Sequence, residues 1–211
     1  MRTTLIVVAA LLVSGCSTTG TPGRAGGVEE EWVGPAPVFV ALETTRGDIV
    51  VRLEPANAPI TVTNFLGYLD AGSYDGSIFH RVVPGFVIQG GGYDAAFNLL
   101  PEGDPIADEW PTGIPNHRGT IAMARETDPD TATRQFYINV ADNDQLDTAR
   151  ETTGNAGYAV FGRVVDGMQV VDLIRDGARE DREDLDLKNV PVDPVVITRA
   201  RRLKPEEAAG Y

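Results

Sequence analysis

The stretch Phe79-His80-Arg81-Val82-Val83-Pro84-Gly85-Phe86-Val87-Ile88-Gln89-Gly90-Gly91 places a guanidinium, an aromatic ring and a carboxamide within nine residues, at Arg81, Phe86 and Gln89. In an extended segment, residues an even number apart share a face. Arg81 and Gln89 can therefore point the same way, while the Pro84-Gly85 interruption re-aims Phe86. Such a set holds a cation beside an apolar, aromatic surface.

Other chemistries find less support. His80 and His117 are the only histidines, and neither stands at zinc-ligand spacing from the other or from a cysteine. Asp128-Pro129-Asp130 and Asp142-Asn143-Asp144 lack the glycine and terminal Glu of an EF-hand loop and read as turns. Gly90-Gly91-Gly92 is not followed by Lys and Ser or Thr, so it reads as close backbone packing and not as a phosphate cradle. No G-x-S-x-G elbow occurs in the domain. A net charge of −13 gives no phosphate-neutralising footprint, so no nucleic-acid partner is expected. No metal or organic cofactor is expected either.

The elements that must position Arg81 and Gln89 start at Val38. With 42% apolar residues, the 211-residue chain can bury one ordinary core. Residues 38–43 and 48–53 are β-rich and flank a Thr44-Thr45-Arg46-Gly47 hairpin turn. Val62, Phe65, Leu66 and Leu69 fall at i, i+3, i+4 and i+7 behind Pro59, which predicts a helix stopped by Gly72. Residues 78–89, 119–124, 135–140 and 158–165 read as short strands of a barrel or sandwich. A second helix is expected over 168–176, with Val170, Leu173 and Ile174 on one face and Gly177 closing it. A last strand is expected over 192–200, and 204–211 as a loose tail. The acidic run at 181–186 reads as a solvated loop.

The N-terminus has its own logic. Arg2, an apolar run from Leu5 to Val13 and small residues before the single cysteine, Cys16, read as a secretory signal over 1–15, too short for a lasting membrane span. Val13-Ser14-Gly15-Cys16 resembles the bacterial lipobox, which implies cleavage before Cys16 and diacylation of its sulfur. Two acyl chains give stable anchoring where one gives marginal binding. Residues 16–37 then form a Gly-, Thr- and Pro-rich flexible linker with a reach of roughly 25 Å. The expected product is an envelope lipoprotein facing the periplasm, or the outer face of a single-membrane cell, that touches the membrane only through this anchor.

The run from Phe79 to Gly91 resembles the signature of the cyclophilin family. Matching segments follow in order: Gly119-Thr120-Ile121-Ala122-Met123-Ala124-Arg125, Gln135-Phe136-Tyr137-Ile138, Leu146-Asp147 and Tyr158-Ala159-Val160-Phe161-Gly162. The similarity spans about 38–203 and is closest to periplasmic bacterial members. It implies a mainly β fold: a closed eight-stranded antiparallel β-barrel capped by two α-helices, with a shallow peptide groove on the outer surface. It also implies a monomer acting on proline-containing polypeptides as a peptidyl-prolyl cis-trans isomerase that assists the folding of exported proteins.

Carried over residue by residue, the resemblance makes Arg81 the catalytic cation and Gln89 its orienting partner. Phe86, Val87, Tyr137 and Leu146 become the proline pocket, Ala124 and Arg125 the backbone contacts for the preceding residue, and Gln135 and Tyr158 further groove positions. Val87, Arg125, Tyr137, Gln145 and Tyr158 stand where eukaryotic members commonly carry Met, Asn, Phe, Trp and His. These departures leave Arg81, Phe86 and Gln89 in place but weigh against tight cyclosporin binding, Gln145 above all. The rival reading is a cyclophilin-shaped peptide-binding or holdase module with incidental catalysis.

Overall fold

The computed structural model describes residues 34–211. The expected signal segment, Cys16 and the linker up to residue 33 lie outside the described residues.

The chain builds one barrel sheet from β1 (Val38–Thr44), β2 (Gly47–Leu53), β3 (Ser77–Val83), β4 (Val87–Asp94), β5 (Thr120–Met123), β6 (Phe136–Asn139), β7 (Val160–Asp166) and β10 (Ile197–Arg202). Their spatial order is β10-β1-β2-β7-β5-β6-β4-β3, and every pair in the ladder is antiparallel. The ends nearly close: Ile78 bridges Val196, Gly76 N donates to Ile197 O at 2.8 Å, and Phe79 N donates to Val195 O at 3.1 Å. The expected eight strands are present, and the β3–β10 seam is a bridge where a full ladder was expected.

Alternation does the sorting. Ile88, Ile121, Phe136 and Ile138 point into the main core, whereas Val87, Ala122, Tyr137 and Val160 form a separate outer cluster. Helix α1 (Pro59–Asp70) buries Val62, Phe65, Leu66 and Leu69, as its spacing predicts. Phe65 reaches the barrel interior, with its ring centroid 5.6 Å from that of Phe136 and 5.2 Å from that of Phe161. The helix has no side-chain cap of its own. Instead the Glu109 carboxylate accepts from Ile60 N at 2.9 Å and Thr61 N at 2.6 Å, placing negative charge where the helix dipole favours it.

Helix α2 (Met168–Asp176) buries Val170, Val171 and Ile174. Leu173, expected on that face, is 60% exposed, because the 170, 171, 174 stripe is the one turned to the core. The acidic run is exposed as expected but folded: β8 (Arg179–Arg182) pairs with β9 (Leu187–Pro191) around a 3-10 turn at Glu183–Leu185. The last strand starts later than expected, at Ile197, beyond Pro194, which cannot donate to a ladder. The expected loose tail is also folded. Short helix α3 (Pro205–Ala208) is tied by Arg201, which bridges Glu43 at 2.8 Å and Glu207 at 2.9 Å, and Tyr211 stacks on Phe39.

Candidate functional site

One row of residues crosses five strands on the outer face. Arg81 of β3 faces Gln89 of β4, Gln89 faces Tyr137 of β6, Tyr137 faces Ala122 of β5, and Ala122 faces Val160 of β7. Directly paired residues share a face, so the sheet itself aligns the cation, the amide and the apolar wall. Arg81 and Gln89 meet across a hairpin, not along one extended run. Gly85, with φ of 70°, permits the tight turn, and Phe86 N donates to Val83 O at 3.0 Å.

Arg81 Nη1 donates to Gln89 Oε1 at 3.2 Å, and Gln89 Nε2 donates to Gln135 Oε1 at 3.0 Å. Gln135 has room to join this chain because Gly92 stands beside it; a Cβ there would lie 2.6 Å from its Cδ. Arg81 enters no salt bridge among the described residues. Partial burial pushes its pKa down from the usual guanidinium value, with Tyr158 acting in the opposite direction. Even so lowered, a guanidinium stays charged at neutral pH.

A cavity of about 220 Å³ opens beside this cation, walled by Phe86, Val87, Tyr137, Leu146 and Tyr158. Ala124 and Arg125 border it too. Leu146 is brought in by a 3-10 turn (Asp144–Asp147), and Tyr158 N donates to Leu146 O at 3.0 Å. The Tyr158 ring stands edge-on to Tyr137, with centroids 6.0 Å apart. Of the expected groove residues, all among the described ones, only Gln135 lies outside this cavity; with Gln89 it lines two neighbouring ones.

The family model for cyclophilin type peptidyl-prolyl cis-trans isomerase/CLD matches residues 39–202. The chain belongs to the cyclophilin family. Peptidyl-prolyl cis-trans isomerase A of Dickeya dadantii is 44% identical over 165 residues, covering 78% of this chain and 84% of that protein. Peptidyl-prolyl cis-trans isomerase B of Escherichia coli is 45% identical over 159 residues, covering 75% and 96%. A crystal structure of a Cryptosporidium parvum cyclophilin type peptidyl-prolyl cis-trans isomerase superposes with a TM-score of 0.64 at 24% identity, over 80% of this chain and 99% of that one, which shows the shared fold.

This cyclophilin groove rests on polar residues that motif reading passed over. Tyr137 is buried, and its hydroxyl donates to Asn116 Oδ1 at 2.8 Å. Burial raises the Tyr137 pKa well above the usual phenol value, so the hydroxyl stays a donor. Asn139 Nδ2 donates to the same oxygen at 3.1 Å, and Asn143 Nδ2 donates to Asn139 Oδ1 at 2.7 Å. Asn116 Nδ2 donates in turn to Asp147 Oδ1 at 2.7 Å. Asn139 shares the face of Tyr137 at even spacing, which is a legible signal; Asn116 lies in a loop with no periodicity to mark it.

Arg125 is not a free groove cation. Its side chain is 2% exposed, and its Nη2 donates to Thr153 O, Ala156 O and Gly157 O at 3.1, 3.2 and 2.6 Å. Its guanidinium also lies 4.4 Å from the Tyr158 ring centroid. Asp108, 8% exposed, faces Arg125 Nε at 3.7 Å, too far for a hydrogen bond, and burial raises the Asp108 pKa. Arg125 thus holds the loop carrying Tyr158. No group of three or more His, Cys, Asp or Glu that could hold a metal occurs among the described residues.

Proposed function

We propose that this chain accelerates rotation about X–Pro bonds of exported polypeptides, with Arg81 as the electrostatic catalyst and the cavity over Tyr137 as the seat of the prolyl ring. The planar amide must lose C–N resonance against a barrier of ~18–20 kcal/mol, and uncatalysed exchange takes tens to hundreds of seconds. No covalent step is needed. The catalyst has only to bind the twisted amide better than the planar one.

In the twisted amide the prolyl nitrogen regains a lone pair and accepts a hydrogen bond that the planar form cannot. Arg81 lies at the cavity edge with its Nη1 directed to Gln89 and the rest of its fork uncommitted to any carboxylate among the described residues. A charge-assisted hydrogen bond contributes about 1.5–3 kcal/mol, roughly one to two powers of ten in rate. The planar amide is also the more dipolar form. An apolar wall of Phe86, Val87 and Leu146 therefore disfavours it relative to the twisted one.

The single observation that carries this reading is an amide-oriented guanidinium, without a carboxylate partner among the described residues, beside an apolar cavity on one sheet face. The test is two-dimensional NMR exchange on an Ala-Pro peptide with the full chain. Cis-trans exchange driven into the observable range supports the isomerase. Line broadening from binding with no gain in exchange rate supports the holdase reading.

The cellular setting belongs to the same proposal. The order Val13-Ser14-Gly15-Cys16 behind an apolar run supports a lipid-anchored domain outside the cytoplasm. Among the described residues no helix is long and apolar enough to cross a membrane. Metabolic labelling with a radioactive fatty acid is expected to mark the wild-type chain and not Cys16→Ser. Labelling of neither would remove the anchor.

A further inference from the structure

Gln89 borders three cavities. Besides the one over Tyr137, a cavity of about 180 Å³ lies towards Ala124 and Glu102, and one of about 330 Å³ lies on the hairpin side of Arg81. That third cavity is enclosed by His80 and Tyr93 on the barrel and by Asp186, Leu187 and Lys188 on the β8–β9 arm, with Arg81 and Gln89 as walls shared with the groove. The His80 and Tyr93 rings pack with centroids 4.7 Å apart. His80 is 4% exposed, and its buried Nδ1 has no hydrogen-bond partner. Lys188 is exposed and, like Arg81, enters no salt bridge among the described residues.

We propose that the β8–β9 hairpin is a second wall of the substrate groove, and that the cavity between it and β3–β4 takes an apolar side chain of the proline-containing polypeptide, a few residues from the isomerised bond. The proposal rests on the isomerase reading above. Its occupant follows from continuity, because the two cavities share Arg81 and Gln89 as walls. An extended chain advances ~3.3 Å per residue, so one whose prolyl ring sits over Tyr137 crosses the width of those two side chains within about two or three residues.

The lining sets the preference. The His80 and Tyr93 rings and Leu187 supply the apolar surface, and the Asp186 and Lys188 side chains beside them supply polar groups that can meet the main chain. The arm would thus act on affinity and sequence preference, not on the bond rotation at Arg81. The alternative is an arm that only covers the barrel near the β3–β10 seam.

The test compares kcat/KM of the full chain on a blocked Ala-Pro dipeptide and on a peptide carrying the same pair with three leucine-rich residues on each side. The wild type is expected to favour the longer peptide by about tenfold, the gain of burying one apolar side chain. Leu187→Ala/Lys188→Ala is expected to keep its dipeptide kcat/KM and to lose most of that preference through a higher KM. Lys188→Ala alone, at an exposed position, carries part of the loss without touching the packing. An unchanged ratio in both variants, or no preference in the wild type, overturns the proposal. No turnover of either peptide by the wild type would instead overturn the isomerase reading on which it rests.

Discussion

Arg81 and Gln89 are direct cross-strand partners, and the 3.2 Å hydrogen bond between them points the guanidinium without neutralising it. A carboxylate at position 89 would hold the fork as firmly but would compete for the charge that the twisted amide needs. The amide orients and leaves the cation available.

Gln89→Ala is therefore expected to lower kcat/KM by about tenfold while leaving the fold intact, because Arg81 keeps its charge and loses only its aim. Gln89→Glu tests the second half of the argument. It should restore orientation yet remain slower than wild type, and a fully active Gln89→Glu enzyme would show that the guanidinium's free charge is not needed.

Tyr137 and Asn116 separate packing from polarity beneath the groove. Tyr137→Phe removes one hydroxyl, and Asn116 Oδ1 still accepts from Asn139. The expected cost is about 1 kcal/mol, with activity within about threefold of wild type. Asn116→Ala strands the buried Tyr137 hydroxyl and part of the Asn139 amide together, at about 3 kcal/mol. Urea midpoints of the two variants measure the difference; equal losses would mean that the network is not a unit.

Arg125→Met should reveal the tether. It leaves Asp108 buried without its cation and releases the carbonyls of Thr153, Ala156 and Gly157. A loss of about 3 kcal/mol is expected, with KM raised more than kcat is lowered because the Tyr158 wall loosens. Arg125→Lys should rescue little, since one ammonium cannot stand in both for Nη2 on those carbonyls and for Nη1 on Glu126 O and Thr127 O at 2.9 and 3.2 Å. Full rescue by lysine would assign the effect to charge alone.

His80 sets a pH dependence. Burial, with Arg81 beside it, pushes its imidazole down to about 4. The unfolded side chain titrates near ~6.5. Between those values the unfolded chain binds a proton that the folded chain refuses, so the contribution of neutral His80 is fully present above pH ~6.5 and declines as pH falls towards ~4. Wild type is expected to lose about 2 kcal/mol more than His80→Asn between pH 7 and pH 5, measured by urea unfolding. Equal losses would show that His80 is as easily protonated in the fold as outside it.

Periodicity and ordered motifs carry far in this chain, and their failures have physical causes. The α1 stripe and the outer row at Val87, Gln89 and Tyr137 are legible because each repeats at the spacing of its element. The Arg81–Gln89 pairing is legible in its result but not in its route, since the sequence reads equally as one long strand until the Pro84-Gly85 turn folds it back. Leu173, the β8–β9 arm and the C-terminal turn escape such reading. What orders them is tertiary: the exact roll of α2, strand pairing within a charged stretch, and Arg201 joining Glu43 to Glu207. Asn116 escapes for the same reason, being a loop residue whose partners come from four other segments.

The most direct test of the central claim is protease-coupled or NMR measurement of X–Pro exchange by the full chain against its Arg81→Ala variant, with peptide affinity measured alongside. The proposed role predicts a fall in kcat/KM of about 10–10², the scale of one charge-assisted hydrogen bond made only to the twisted amide, with peptide Kd little changed. An Arg81→Ala protein that isomerises within about threefold of wild type would contradict it and leave the groove as a binding surface.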